Sequence, residues 1–101
     1  MATPGRLYDL ALSNVLKLKS IQKLVIDEVD IMLDLGFRFQ LLNIFDLLPK
    51  SRQNIMFSAT MTNDVDELIK DFFKSPKKIS VALSGTPLDN IKQTSYLVTN
   101  F

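Results

Sequence analysis

The stretch LVIDEVD, from Leu24 to Asp30, decides the fold, because it joins an apolar run directly to three carboxylates in four positions. A short apolar run of this kind is typical of a β-strand, and we predict a strand from Gln22 to Ile26. The second half of the run is apolar throughout, so we expect burial on both faces of a parallel sheet. In open sheets of parallel strands, ligands bind at the carboxyl ends of the strands, where these carboxylates fall.

Three interpretations fit the carboxylates of Asp27, Glu28 and Asp30. The first is a plain surface turn, since acidic residues often form turns. The second is a protease target, because Asp-Glu-Val-Asp is a caspase cleavage tetrapeptide; cleavage, however, needs an exposed extended segment, and this one follows a buried strand. The third is a magnesium and water-activating site, in which one carboxylate holds the ion through water and the next orients or deprotonates an attacking water. An apolar strand followed by Asp-Glu is the second nucleotide motif of P-loop enzymes, which favours the third.

Helices and strands alternate along the rest of the chain. Helices are predicted to begin at Pro4, at Arg38 and at Thr62 or Asn63, and Pro49 ends the second of them. Further strands are predicted at Asn54–Phe57 and Lys78–Leu83, with a weaker pattern at Gln93–Thr99. The clearest helical stripe consists of Val65, Leu68, Ile69, Phe72 and Phe73. This alternation predicts an α/β fold with a parallel sheet. Three or four strands and three helices are too few for a complete α/β domain. We therefore interpret the chain as a fragment of a larger domain.

The composition limits the chemistry. The chain has 101 residues, a net charge of +1, no cysteine and no histidine. Without cysteine there are no disulfides or thiolate metal sites, and without histidine any general base is a carboxylate or a lysine. Any metal is expected to be a hard cation with oxygen ligands. No apolar run approaches membrane-spanning length and no charged-then-apolar leader opens the chain, so we expect a soluble, cytoplasmic protein with no membrane partner.

A second polar motif, SAT at Ser58 to Thr60, follows the next predicted strand. If the two strands are neighbours, both hydroxyls lie near Asp30, and hydrogen bonds to its carboxylate tie the two strand tips together. The alternative is a polar turn that caps the strand.

A third motif, TPGR at Thr3 to Arg6, opens the first predicted helix. A helix start offers free N–H groups and a partial positive charge, which suit a phosphate. Gly5 permits close backbone approach, and Arg6 adds a charged fork. The alternative is an ordinary helix start with an exposed arginine. Further along the chain, Lys74, Lys77 and Lys78 are interpreted as a solvated basic turn, with a phosphate contact as the alternative.

TPGR, DEVD and SAT, in this order and together with LDLGF at 33–37, resemble the motifs of a DEAD-box ATP-dependent RNA helicase. The resemblance covers nearly the whole chain and implies a partial RecA-like (P-loop NTPase) parallel sheet with flanking helices. It implies that residues 1–84 are the C-terminal part of the first RecA-like domain. Residues 85–101 would then be the interdomain linker and the first strand of the second domain.

The resemblance also implies a role for each matched residue. Asp27 coordinates magnesium through water, and Glu28 positions and activates the hydrolytic water. Asp30 links the nucleotide site to the hydroxyls of the SAT motif, Ser58 and Thr60, which couple hydrolysis to strand separation. The RNA backbone is contacted, independently of sequence, by Thr3, Gly5 and Arg6. One residue departs from the family pattern, because Val29 stands where the family name has alanine.

Two hypotheses on function follow from the resemblance. The chain has three glycines, Gly5, Gly36 and Gly85, and none opens the glycine-rich loop that cradles phosphates. We therefore expect ATP and magnesium to act in the parent enzyme, and the fragment to bind neither and to be inactive alone. The other hypothesis is a non-enzymatic, helicase-derived module for RNA binding or assembly. In both cases, exposed sheet surface and edges are expected to make the fragment oligomeric.

Overall fold

The computed structural model describes residues 1–81 and 89–99. In chain order the elements are α1 (Pro4–Leu12), β1 (Lys23–Ile26), α2 (Val29–Asp34), α3 (Arg38–Leu47), β2 (Gln53–Met56) and α4 (Asn63–Phe72). The two strands pair in parallel, with Lys23 opposite Gln53 and Ile26 opposite Met56. The described residues therefore form a parallel two-stranded sheet with flanking helices, and the α/β prediction is confirmed.

The predicted helix starts are confirmed, although their caps differ. Pro4 occupies the first turn of α1, where its missing N–H costs nothing, but the side chain of Thr3 at the N-cap makes no capping bond. Thr62 does cap α4, because its hydroxyl oxygen accepts a hydrogen bond from the Val65 N–H at 3.3 Å. Acidic residues in the first turn of α4 complement the positive end of the helix dipole.

The short helix α2 was not predicted, because six residues are too few to show a helical period. Its C-terminal turn is a Schellman motif: the Gly36 N–H donates to the Leu33 carbonyl at 3.0 Å and the Phe37 N–H donates to the Met32 carbonyl at 2.9 Å. Gly36 has a φ of 85°, a conformation that glycine adopts without steric cost. The turn predicted at Gly36 is therefore confirmed, as the end of a helix.

The core lies between β1 and the helices α2, α3 and α4. Its buried members are Ile26, Val29, Leu33, Leu41, Phe45, Val65 and Leu68. The stripe predicted for α4 faces this core, since Val65 and Leu68 are fully buried and Ile69 and Phe72 pack against it. The Phe45 and Phe72 rings lie 4.8 Å apart in a tilted arrangement, which joins α3 to α4.

The expectation that both faces of the sheet are buried was wrong for the described residues. Ile26 is buried, but the neighbouring Val25 is 57% exposed, and Phe57 just beyond β2 is 56% exposed. Successive side chains of a strand point to opposite faces, so this difference shows that one face packs on the core and the other is open.

The third and fourth predicted strands do not form in the described residues. Residues 78–81 have no regular structure, and Ile79 and Val81 are largely exposed; Ala82 and Leu83 lie outside the described residues. Residues 93–99 also form no strand, and their apolar side chains Tyr96, Leu97 and Val98 are exposed. A strand needs a neighbour that completes its hydrogen bonds, and no described segment pairs with either stretch.

None of the helices in the described part of the chain is both long and apolar enough to cross a membrane.

Candidate functional site

Asp27 and Glu28 form an exposed arch at the carboxyl edge of the sheet. The Phe57 N–H donates to the Ile26 carbonyl at 2.8 Å, and the Val29 N–H donates back to the Phe57 carbonyl at 3.1 Å. Phe57 thus bonds, through its N–H and its carbonyl, the two residues on either side of Asp27 and Glu28. We call Asp27 and Glu28 the acidic arch. Nothing in the sequence marked Phe57 as its anchor except its position directly before the SAT motif.

The backbone of Glu28 is left-handed, with φ 51° and ψ 46°. This conformation costs a residue with a Cβ atom roughly 1–2 kcal/mol, so it persists only where neighbouring bonds impose it. Here the two bonds to Phe57 impose it, together with a bond from the Glu28 N–H to Asp27 Oδ1 at 2.9 Å. The arch therefore holds two adjacent carboxylates in one backbone geometry, with both side chains facing solvent.

Asp30 is the buried carboxylate of the motif, with 4% of its surface exposed. Its Oδ2 accepts the Thr60 hydroxyl at 2.8 Å and the Thr60 N–H at 3.0 Å. The hydroxyl bond is the main cause that lowers the pKa of Asp30, with help from the Ile31 and Thr60 amides and the Ser58 hydroxyl, and it outweighs burial, which raises that pKa. Asp30 is thus a charged tie between the tips of β1 and β2.

Ser58 does not bond Asp30 directly, unlike Thr60. Its hydroxyl donates to the Thr60 carbonyl at 2.6 Å and so stabilises the turn that presents Thr60. The predicted tie between hydroxyl and carboxylate is therefore present for Thr60, whereas the Ser58 hydroxyl bonds the Thr60 carbonyl and contributes only the smallest of the effects that lower the pKa of Asp30. The second oxygen of Asp30, Oδ1, is buried and has no hydrogen-bond donor among the described residues.

The TPGR segment lies at the same edge of the sheet as the acidic arch. Pro4 is buried and lines an apolar pocket with Ile26, at the carboxyl end of β1, and Met32 of α2. Arg6 is exposed, and a Cβ atom added at Gly5 would meet no protein atom within 4 Å. The space beside Gly5 is therefore open to a ligand.

The donor set fits a magnesium ion held through water and does not fit a cage of protein ligands. Among the described residues, no group of three or more acidic, histidine or cysteine side chains converges on one point. Asp27 is exposed, and within residues 1–81 and 89–99 its Oδ1 accepts a hydrogen bond while its Oδ2 makes none. Mg²⁺ keeps several of its waters and takes one or two carboxylates alongside substrate phosphates, which is what the acidic arch offers.

A parallel sheet with polar side chains at adjacent strand tips has the arrangement of nucleotide-binding α/β folds, in which ligands bind at the carboxyl ends of the strands. The similar solved structures identify it as part of a RecA-like domain. Yeast Prp28, a DEAD-box splicing factor, is 38% identical, with a TM-score of 0.68 over 72% of this chain and 17% of its own. A Methanococcus jannaschii DEAD box protein is 33% identical, with a TM-score of 0.69 over 72% of this chain and 20% of its own. Saccharomyces cerevisiae Dbp5, solved with Gle1 and IP6, has a TM-score of 0.73 at 32% identity over 79% of this chain and 21% of its own.

The family model of the DEAD/DEAH box helicases matches residues 1–68, and the chain belongs to this family. A probable eukaryotic initiation factor 4A of Trypanosoma brucei brucei is 43% identical over 93 residues, which is 92% of this chain and 23% of the relative. The ATP-dependent RNA helicase eIF4A of Aspergillus oryzae is 41% identical and matches 92% of this chain and 22% of its own length. The chain thus spans less than a quarter of the curated relatives that it matches.

Proposed function

We propose that this chain supplies the water-activating and coupling part of an ATP-dependent RNA helicase, whose whole polypeptide couples ATP hydrolysis to RNA unwinding or remodelling. The observation that carries the proposal is the buried Asp30 carboxylate, which joins the DEVD segment to the SAT segment through two bonds from Thr60. In this proposal residues 1–84 belong to the first RecA-like domain, residues 85–101 lead into the second, and the enzyme works in the cytoplasm.

The acidic arch performs the hydrolytic part of the proposal. Bound Mg·ATP supplies the phosphoryl group and charge neutralisation. Asp27 would hold the ion through its waters, and Glu28 would accept a hydrogen bond from the attacking water and orient it. The left-handed backbone of Glu28 supports this role, because it fixes the direction in which the carboxylate leaves the strand tip.

The tie between Asp30 and Thr60 performs the coupling. It connects the backbone that follows the acidic arch to the backbone that precedes α4, so a shift at one strand tip moves the other. Thr3, Gly5 and Arg6 contact the RNA backbone: the free N–H groups of the helix start and the Arg6 guanidinium bind phosphates without reading bases.

A graft tests the enzymatic part. The 93 matched residues of this chain replace their counterpart in the eIF4A of A. oryzae, and RNA-stimulated ATP hydrolysis is measured. We expect turnover in the graft, and a loss of about 100-fold or more in kcat when Glu28→Gln removes the carboxylate, since a general base contributes that much. Lys70→Gln, an exposed change on α4, is the control and leaves kcat unchanged. A Glu28→Gln graft as fast as the unsubstituted graft would overturn the assignment.

The 101-residue chain itself is expected to turn over no ATP, because none of its three glycines opens a phosphate-cradling loop. Purified chain, Mg²⁺ and ATP, followed by phosphate release, give the measurement. Turnover above that of a Glu28→Gln chain would contradict this expectation.

RNA contact by the TPGR segment has a test that separates binding from folding. A methyl group at Gly5 meets no protein atom within 4 Å, so Gly5→Ala leaves the fold intact and fills the space that RNA would occupy. We expect weaker binding of a labelled oligouridylate with an unchanged circular-dichroism spectrum. Equal affinity of the two chains would remove Gly5 from the RNA site. Binding of RNA without ATP turnover is also what the alternative, a helicase-derived RNA-binding module, requires.

Self-association is also proposed for the isolated chain. The apolar side chains of Val25 and Phe57 are more than half exposed on the open face of the sheet, and β1 and β2 pair only with each other in the described residues. Open edges and apolar faces favour association. Light scattering is expected to show a dimer or larger species, and a monodisperse monomer at high concentration would contradict it.

A further inference from the structure

Exposed lysines cluster at the amino edge of the sheet, opposite the acidic arch. Lys23 begins β1 and pairs in register with Gln53, the first residue of β2. Lys50 lies three residues before Gln53, in the turn that leads into β2. Because parallel strands begin at the same edge, Lys23 and the turn that carries Lys50 lie side by side.

The loop after α1 adds two more lysines to this edge. Lys17 and Lys19 line one pocket together with Leu16 and Leu47. Leu47 is the last residue of α3, three residues before Lys50. The pocket therefore places the loop beside the turn that begins β2.

The C-terminal end of α4 reaches the same region. Phe72, the last residue of α4, packs on Phe45, and the Arg52 guanidinium lies 5.7 Å from the centroid of the same Phe45 ring. Arg52 is held there by its bond to the Pro49 carbonyl at 2.8 Å. Three lysines follow Phe72 within six residues: Lys74, Lys77 and Lys78.

We call these seven side chains the amino-edge lysines: Lys17, Lys19, Lys23, Lys50, Lys74, Lys77 and Lys78. All seven are exposed, and the ion pairs of the described residues involve Arg38 rather than any of them. Two exposed acidic residues lie near them in the described chain: Asp46 in the last turn of α3, and Asp71 in the last turn of α4, which is paired with Arg38. The chain carries a net charge of only +1, so this concentration of positive charge is local and balanced by the acidic opposite edge.

We propose that the amino-edge lysines form a second RNA surface, separate from the TPGR segment, which binds the phosphate backbone without reading sequence. Lysine ammonium groups bind phosphates as point charges, and each contact releases counterions from the nucleic acid. An acidic protein would be attracted by the same charge, but protein interfaces are depleted in lysine at their centres, whereas phosphate-binding surfaces are not. The choice of RNA among nucleic acids rests on the proposed function.

The test compares two variants of the 101-residue chain that lower its net charge equally, by two. Lys17→Gln/Lys19→Gln removes two amino-edge lysines, and Lys92→Glu reverses the charge of one exposed lysine outside that set. The dissociation constant for a labelled oligouridylate is measured by fluorescence anisotropy as a function of salt concentration. Circular dichroism confirms that both variants keep the fold, and Lys74→Gln/Lys77→Gln replaces the first variant if it does not fold.

The expected result follows from counterion release. Each lost single-strand phosphate contact lowers the slope of log affinity against log salt by about 0.7, so the amino-edge variant loses about 1.4. If affinities converge at about 1 M salt, this slope change corresponds to about 25-fold weaker binding at about 0.1 M. The Lys92→Glu control is expected to keep the parent slope.

Three outcomes would overturn the inference. Equal losses in the two variants would show that net charge alone attracts RNA. An unchanged slope in the amino-edge variant, with binding lost in Gly5→Ala, would leave the proposed TPGR site standing and remove the second surface. Binding of polyglutamate by the parent chain, without binding of RNA, would assign the lysines to an acidic protein. Loss of RNA in the amino-edge variant with normal binding by Gly5→Ala would instead support the second surface and count against the TPGR site.

Discussion

Replacing Thr60 with valine is expected to lower the free energy of unfolding at neutral pH, because it removes one hydroxyl group. The substitution keeps the shape of the side chain and the backbone N–H, but it removes the hydroxyl that donates to Asp30 Oδ2 at 2.8 Å. A hydrogen bond to a charged group contributes about 1.5–3 kcal/mol, and Thr60 is itself exposed, so we expect the low end, about 1.5 kcal/mol. Urea unfolding followed by circular dichroism measures this loss, since the chain has no tryptophan.

The pH dependence of this loss identifies its cause. The pKa of Asp30 is lowered in the folded chain, chiefly by the Thr60 hydroxyl. Its stabilising contribution is therefore present above the pKa of the unfolded chain, about 3.9, and is lost as the pH falls through the folded value. The difference in unfolding free energy between the parent and Thr60→Val should thus be largest near neutrality and fall in acid to the smaller contribution of a neutral hydrogen bond.

Ser58→Ala is the matched control, because it removes a neighbouring hydroxyl that donates to a neutral carbonyl. We expect a loss of about 0.5 kcal/mol with a much weaker pH dependence, because Ser58 is the smallest of the causes that lower the pKa of Asp30. A cycle of Thr60→Val with Asp30→Asn should give a coupling energy of about 1 kcal/mol. Equal stability of Thr60→Val and the parent near neutral pH, or a difference that persists unchanged in acid, would refute the proposed charge-assisted tie.

Three further predictions concern the frame around the site, and each is measured by urea unfolding. Gly36→Ala should lower the free energy of unfolding by about 1 kcal/mol, because Gly36 has a φ of 85°. Gly5→Ala, inside α1, should instead raise it by about 0.5–1 kcal/mol. A change of the same sign for both would contradict the backbone explanation. Thr62→Ala should cost about 1 kcal/mol through loss of the α4 cap and Thr3→Ala much less, and a reversed order would contradict the observed capping. Arg38→Gln should cost at most about 1 kcal/mol, because its pairs with acidic residues of α4 are exposed, and a cost that remains in high salt would show a role beyond the ion pairs.

The sequence predicts those parts of the fold whose signals are local. The stripe along α4 has a helical period over nine residues, and its buried members lie where that period places them. Pro4 and Pro49 mark a helix start and a helix end by backbone chemistry alone. These signals need no knowledge of the rest of the chain.

Signals that depend on a partner were less reliable. Residues 78–81 have the β-branched, apolar pattern of a strand, yet they have no ladder among the described residues. The run Leu24 to Ile26 predicted burial on two faces, but the covering of a second face depends on elements that a strand's own residues do not specify. The pattern of a strand therefore indicates its capacity to pair, and its neighbours determine whether pairing occurs.

The candidate site also combines one feature that the sequence predicts with one that it does not. The contact between Asp30 and Thr60 follows from one topological rule: parallel neighbours end at the same edge, so polar residues after both strands must meet. The left-handed conformation of Glu28 follows from no such rule, because it is imposed by two hydrogen bonds to Phe57, a residue with no polar side chain. Sequence motifs thus identify the side chains proposed to do the chemistry, whereas the direction in which Glu28 presents its carboxylate is set by the backbone of an apolar residue just beyond the neighbouring strand. If the acidic arch acts as proposed, substitutions that disturb the end of β2 should therefore lower ATP hydrolysis by the eIF4A graft even though they leave both carboxylates in place.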